Sequence, residues 1–257
     1  MERRFHCTAC GKCCSGSLPL SLADAWAHAG RFPLAMVWTP LRQQNKAFDL
    51  VRRIGTTLNL GGRKQIAVLI APTAYIPQAF RCPALGADGL CSIHADKPLR
   101  CRSMPFYPYR EEADQADLLA PRKGWECDTS AAAPVVYRQG KIVMRDDFER
   151  ERAQLLQQAP LMRTYAEYML KYQPQLAETL AAAAQNAKGG MVVSSVSSFL
   201  TATRQGEVAA FAAQQRAVLH DFASKTAAQP ELAEFHRNYA GWAKEMDYLC
   251  QRGQTPA

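Results

Sequence analysis

From about position 147 to the end of the 257-residue chain, apolar residues recur at spacings of three, four and seven, the repeat of an α-helix with one buried face. This pattern predicts helices over 147–158, 161–172, 174–186, 206–226 and 231–250, broken at Pro160, Pro174, Gly189-Gly190 and Pro230. Leu155, Leu156, Tyr165, Met169, Phe211, Leu219, Phe222, Phe235, Tyr239 and Trp242 are the expected core positions. The first half reads differently. SLADAWAHAG (21–30) pairs Ser21 with Asp24 in a capping box and ends at Gly30, which predicts a short helix. Residues 56–71 alternate around Leu58, Leu60, Ile66, Val68 and Ile70 with Gly61-Gly62 between the two runs. PVVYRQGKIVMRDD (134–147) places Gln139-Gly140 between two Val- and Ile-rich runs, and Asp146 or Asp147 is placed to cap the helix that follows. Both stretches predict β-hairpins. The expected fold is α+β, with an irregular N-terminal half (1–128) carrying short hairpins, packed against a hairpin and helices (129–257) that are able to share one core with it.

At 48% hydrophobic and 21% charged residues, the chain has enough apolar material to bury a core, which argues against disorder. Its most apolar stretch, 65–77, is far shorter than the roughly 20 residues of a membrane helix and contains two prolines. The start, MERRFHCTACGK, has no apolar run of the kind a secretory signal needs, so it reads as a mature N-terminus and points to the cytoplasm. In that reducing compartment, nine cysteines argue for metal ligation or catalysis before disulfides.

Eight of the nine, Cys7, Cys10, Cys13, Cys14, Cys82, Cys91, Cys101 and Cys127, lie in the first half, and Cys250 stands alone as an expected buried thiol. FHCTACGKCCSG (5–16) is a C-x2-C-x2-C-C run whose two-residue spacing lets thiolates converge across tight turns. In RCPALGADGLC (81–91) a turn at Gly86–Gly89 is placed to fold Cys82 towards Cys91. Three cysteines at this spacing plus a remote Cys-Pro resemble a ferredoxin loop, which would put Cys7, Cys10, Cys13 and Cys82 on one [4Fe-4S] cluster. Cys14, Cys91, Cys101 and Cys127 would then form a second centre, iron-sulfur or zinc. His6 and His94 are weaker ligand candidates, Arg100 and Arg102 are placed to donate to sulfur, and Met104, Phe106, Tyr107 and Tyr109 to wall off the centre from water.

The combination of Cys7-x2-Cys10-x2-Cys13-Cys14, Cys82-Pro83, Gly89-Leu-Cys91-Ser-Ile-His94 and Lys97-Pro98-Leu-Arg-Cys101-Arg102 resembles the bacterial CxxCxxCC cysteine-cluster family, also called YkgJ-like. The resemblance spans about residues 5–128. It implies zinc or iron chelation, often as an iron-sulfur cluster, with ligand roles for Cys7, Cys10, Cys13, Cys14, Cys82, Cys91, Cys101 and, less directly, Cys127. The family includes flagellin lysine N-methylases, but no glycine-rich methyl-donor turn stands out here, with only Gly61-Gly62 and Gly189-Gly190 on offer.

Three readings follow. The first is a cytoplasmic protein with one or two cysteine-ligated centres, iron-sulfur favoured over zinc, and a redox or cluster-dependent role. The second is an enzyme of the lysine methylase kind. The third is a structural-zinc module for a protein or nucleic-acid partner, suggested by the net charge of +8. That charge counts thiols as neutral. Each centre of four thiolates around a core of charge +2 carries about −2, so two centres lower the net charge to about +4. The first half, with 17 Lys and Arg against 11 Asp and Glu, then offsets anionic centres, and the case for nucleic acid weakens.

Overall fold

The computed structural model describes residues 2–186, 189–204 and 207–254. Its strands are β1 (Glu2–Arg4), β2 (Leu18–Pro19), β3 (Leu34–Arg42), β4 (Thr56–Asn59), β5 (Gln65–Ala74), β6 (Val135–Arg138), β7 (Lys141–Ile142) and β8 (Val192–Ser195). Its α-helices are α1 (Leu22–Ala27), α2 (Phe48–Ile54), α3 (Leu99–Arg102), α4 (Asp146–Tyr172), α5 (Gln175–Gln185), α6 (Val196–Thr203), α7 (Val208–Thr226) and α8 (Ala233–Gln254). The fold is α+β, with strands concentrated in the first half and helices in the second. Among the described residues no helix is long and apolar enough to cross a membrane.

The main sheet is antiparallel. β5 pairs with β3 along one edge, from Leu34↔Ala74 to Arg42↔Ile66, and on its other edge with β4 and then β2. β8 from the second half joins β3 from Ala35↔Ser195 to Trp38↔Val192. Strand periodicity sends Met36, Trp38, Val68 and Ile70 to the face covered by the C-terminal helices, where all four are fully buried. Trp38 and Tyr165 bring polar tips into this core, and each finds a partner. Trp38 Nε1 donates to Ser194 Oγ at 3.0 Å, and the Tyr165 hydroxyl lies 3.0 Å from Ser194 Oγ and 2.6 Å from Ser198 Oγ. Buried Gln215 on α7 pins the turn before β3, accepting from Leu34 N–H at 2.9 Å and donating to the carbonyls of Ala29 and Phe32. The opposite face of the sheet packs Ala67 and Leu69 against Phe48, Val51 and Ile54 of α2 and Leu155 of α4. A third cluster joins Phe5, Phe106, Leu119, Val136, Tyr137, Ile142 and Phe148 around the small sheet β1-β6-β7.

Both hairpins form where the turn residues place them. Gln139 and Gly140 connect β6 to β7 at positive φ, as a two-residue hairpin turn of the primed type requires, and Gly61 and Gly62, also at positive φ, lie in the longer β4–β5 turn, where Leu60 N–H donates to the Lys64 carbonyl at 2.9 Å. The Ser21 cap of α1 also forms, with Asp24 N–H donating to Ser21 Oγ at 3.1 Å. Three expectations need correction. Pro160 does not end a helix; α4 runs through it. A proline inside a helix costs about 3 kcal/mol, but Leu155, Ala159, Met162, Tyr165 and Met169 form one buried stripe across it, each large side chain contributing about 1.5–3 kcal/mol. Asp146 and Asp147 lie inside the first turn of α4, where they face the positive end of the helix dipole instead of capping it. Leu156 is 45% exposed and so lies outside the core, whereas Phe235 is half-buried, packs against the main core and stacks on Tyr75 with ring centroids 4.5 Å apart. The expected helix start at Gly206 lies outside the described residues, and α7 runs from Val208.

Candidate metal centre

The C-x2-C-x2-C-C loop is held on both flanks by other parts of the chain. On one flank His6 and Asp128 exchange backbone hydrogen bonds of 2.8 and 3.0 Å, Thr8 Oγ1 donates to the Glu126 carbonyl at 2.9 Å, and Lys12 lies 3.6 Å from the Glu126 carboxylate. On the other, Cys82 N–H donates to the Cys14 carbonyl at 2.9 Å, Gly16 N–H to that of Phe80 at 3.3 Å, and Gln78 Nε2 to Ser15 Oγ at 3.1 Å. Gly11 makes the turn between the flanks. Its φ is 67°, its carbonyl accepts from Cys14 N–H at 3.1 Å, and a Cβ there would sit 3.0 Å from the Gly89 carbonyl oxygen.

The Gly86–Leu90 turn does what its composition predicts. Gly86 N–H donates to Leu90 O at 2.8 Å and Leu90 N–H to Asp88 Oδ1 at 2.9 Å, so Cys91 pairs back against Leu85, three residues after Cys82. Cys101 sits on the single turn of α3, whose start is fixed by Leu99 N–H donating to Asp24 Oδ2 at 3.2 Å. Cys127 follows Glu126 on the strip that pairs with residues 6–8.

These pairings give the thiols distinct neighbours. The Cys14 thiol is pushed up, chiefly by its hydrogen bond to Cys13 and then by burial and the nearby Cys82 and Cys101; the same bond draws Cys13 down to about 6. Burial and then Cys82 push Cys101 up to about 12. Cys82 is raised by burial and by Cys91, and Cys127 by burial and by Cys10 and Cys7. Cys10 is lowered, first by the Lys12 backbone N–H. Neighbouring thiols hold one another protonated because several thiolates together repel; a bound cation reverses that balance and favours their ionisation. All nine cysteines are free thiols, and Cys250 lies in the main core, as expected for a buried residue.

The donor set suits a thiophilic metal, although among the described residues no three His, Cys, Asp or Glu side chains already enclose a common point. Residues 6–124 match the family model CxxCxxCC, described as "Putative zinc- or iron-chelating domain". This segment belongs to the CxxCxxCC family. Comparison with curated proteins and with solved structures gave no match. The CxxCxxCC segment takes in every candidate ligand except Cys127, which the fold nevertheless ties to its first loop.

Around the CxxCxxCC cysteines the expected arginine roles change. Arg102 pairs with Asp147 at 2.9 Å. Arg100 is buried, lies 3.3 Å from Glu151, stacks over the Tyr107 ring at 4.6 Å and donates to the Phe106 carbonyl. It acts on Cys101 through its charge, which partly offsets the effect of burial there. Glu151 also accepts from Ser103, and burial pushes its carboxyl up. Phe106 belongs to the cluster around Phe5, which Cys127 packs against, and Tyr109 to the cluster under α2. His6 and His94 are exposed. The buried Arg100–Glu151 pair and the Thr8–Glu126 clamp escaped the sequence reading, since their partners lie 51 and 118 residues apart and carry no motif.

Proposed function

We propose that this protein is a cytoplasmic, bacterial metal-binding protein whose N-terminal cysteines hold iron-sulfur in preference to zinc, with a redox role. The observation that supports the reading is the set of eight free thiols between positions 7 and 127, seven of them within a segment that matches the zinc- or iron-chelating family, with backbone hydrogen bonds joining the loop of residues 6–16 to residues 80–82 and 128. Cys7, Cys10, Cys13, Cys14, Cys82, Cys91, Cys101 and Cys127 would hold the metal. An iron-sulfur group bound there supplies a one-electron couple, which zinc lacks. The chain's own part is to orient and poise the thiolates. The Lys12 amide favours ionised Cys10, the Arg100 charge favours ionised Cys101, and the packing of Phe5 and Phe106 against Cys127 limits water at that edge.

The test is the iron, zinc and acid-labile sulfide content of protein purified without oxygen. Iron and sulfide in equal amounts with broad visible absorption are expected. Zinc without sulfide in a colourless preparation overturns the iron-sulfur assignment, and a chain that holds neither metal overturns metal binding.

A further inference from the structure

Alternation along β3 and β5 turns Val37, Thr39 and Leu41, which pair with Ala71, Leu69 and Ala67, to the face of the main sheet away from the C-terminal helices. What covers that face is short. The seven residues of α2 reach about 10 Å, against about 33 Å for the ten of β5. Between the strands, α2 and the loop at Tyr109 and Arg110 lies a cavity of about 310 Å³, walled by the apolar side chains of Val37, Leu41, Val51, Leu69 and Ala71. None of the eight N-terminal cysteines lines it.

We propose that this cavity binds a small, uncharged, largely apolar molecule that carries a hydrogen-bond acceptor. The volume, room for on the order of ten waters, falls at the lower end of the range of small-molecule sites. Water inside apolar walls is poorly held, so an apolar body that displaces it gains free energy. The acceptor follows from two hydroxyls. Thr39 and Tyr109 line the cavity, and among the described residues neither hydroxyl has a hydrogen-bond partner, so both are left to donate to a guest.

The charges at the mouth select against ions. Asn45, Ala47 and Arg110 are shared with an adjoining polar hollow, in which Lys46 lies 3.5 Å from Asp114 and Arg110 is held by both carboxylate oxygens of Asp117 at 3.0 and 3.1 Å. Both cations of the hollow are thus already paired, and the charge left over there is that of Glu111. A carboxylate guest would meet no free cation at the mouth and a negative field from Glu111. An ammonium guest would be buried among apolar walls with no carboxylate inside the cavity to pair with it. The neutral guest loses nothing on either count.

The probe is 2-acetylnaphthalene, a neutral aryl ketone, titrated into the full-length, reduced chain by calorimetry, with 2-naphthoate and 2-naphthylmethylamine as its charged counterparts. Saturable uptake of one equivalent is expected, with both charged probes at least about tenfold weaker. Val37→Phe fills the cavity and should weaken the ketone at least about tenfold, and Thr39→Val/Tyr109→Phe, which removes both donors, about three- to tenfold or more. Methyl-resolved NMR of the wild-type chain gives a measurement that needs no variant to fold: the ketone should shift the methyl signals of Val37, Leu41 and Leu69. No saturation by the ketone, equal binding by Val37→Phe, or shifts confined to other methyls overturns the site. Equal binding of a charged probe, or of the ketone by the double variant, overturns the class of guest. A wild-type dimer that Val37→Phe breaks, with no ketone taken up, assigns the face to a second copy of the chain and overturns the proposal.

Discussion

The sheet with its C-terminal helices and the cysteine loops are held together by different forces. In the first, Trp38, Tyr165, Phe199, Leu219 and Tyr239 are buried to within a few per cent, so removal of apolar surface from water supplies the stability. In the second, the cysteines are exposed or half-buried, and the loops are joined mainly by backbone hydrogen bonds and turn residues. Each such bond nets only about 0.5–1.5 kcal/mol, less than the cost of ordering the residues that make it. The first region is organised by its own side chains, and the second is the one that the metal proposed above would complete.

The comparison is tested most severely at the centre of the sheet. Trp38→Ala removes a fully buried ring and its hydrogen bond to Ser194, and should cost about 3–5 kcal/mol in denaturant unfolding, with or without metal. A loss below about 1 kcal/mol would mean that the core does not carry the fold. Glu151→Gln comes next, because it strands the Arg100 charge in a buried site. It should cost about 3 kcal/mol, and the apolar double variant Arg100→Met/Glu151→Leu should recover most of that. No recovery in the double would show that the pair matters for its shape and not for its charge.

Chelation separates the two regions most directly. Amide exchange should accelerate at 6–16 and 82–91 while α7 and α8 stay protected; uniform acceleration would show one cooperative unit. Gly11→Ala forces a side chain into a left-handed turn and against the Gly89 carbonyl, so it should cost about 1–2 kcal/mol and weaken zinc uptake. Unchanged uptake would show that the turn does not shape the site. The smallest effect is expected at the rim, where Glu126→Gln breaks an exposed pair with Lys12 and should cost less than about 1 kcal/mol by thermal melting.

What could be read in advance follows a physical division. Local signals were legible: the Ser21 cap, the Gly61-Gly62 and Gln139-Gly140 turns and the Gly86–Leu90 turn all act within a few residues of one another. Strand β3 was not, because Pro33 precedes it, Pro40 lies within it and a proline ordinarily demotes a strand. In the fold β8 pairs with β3 only as far as Trp38, so Pro40 falls beyond that ladder. β8 was also missed, since four residues carry little pattern of their own and are held by β3.

By itself the sequence determined the α+β class, the eight N-terminal thiols, seven of them at family spacing, and the short-range turns among them, because each depends on the chemistry of neighbouring residues. Only the tertiary structure decided which loops lie side by side. It carried α4 through Pro160, turned Arg100 towards Glu151, and set Cys82 beside Cys14 and residues 126–128 beside residues 6–8. Those outcomes depend on burial and backbone pairing between segments as far apart as His6 and Asp128, and no local spacing encodes them.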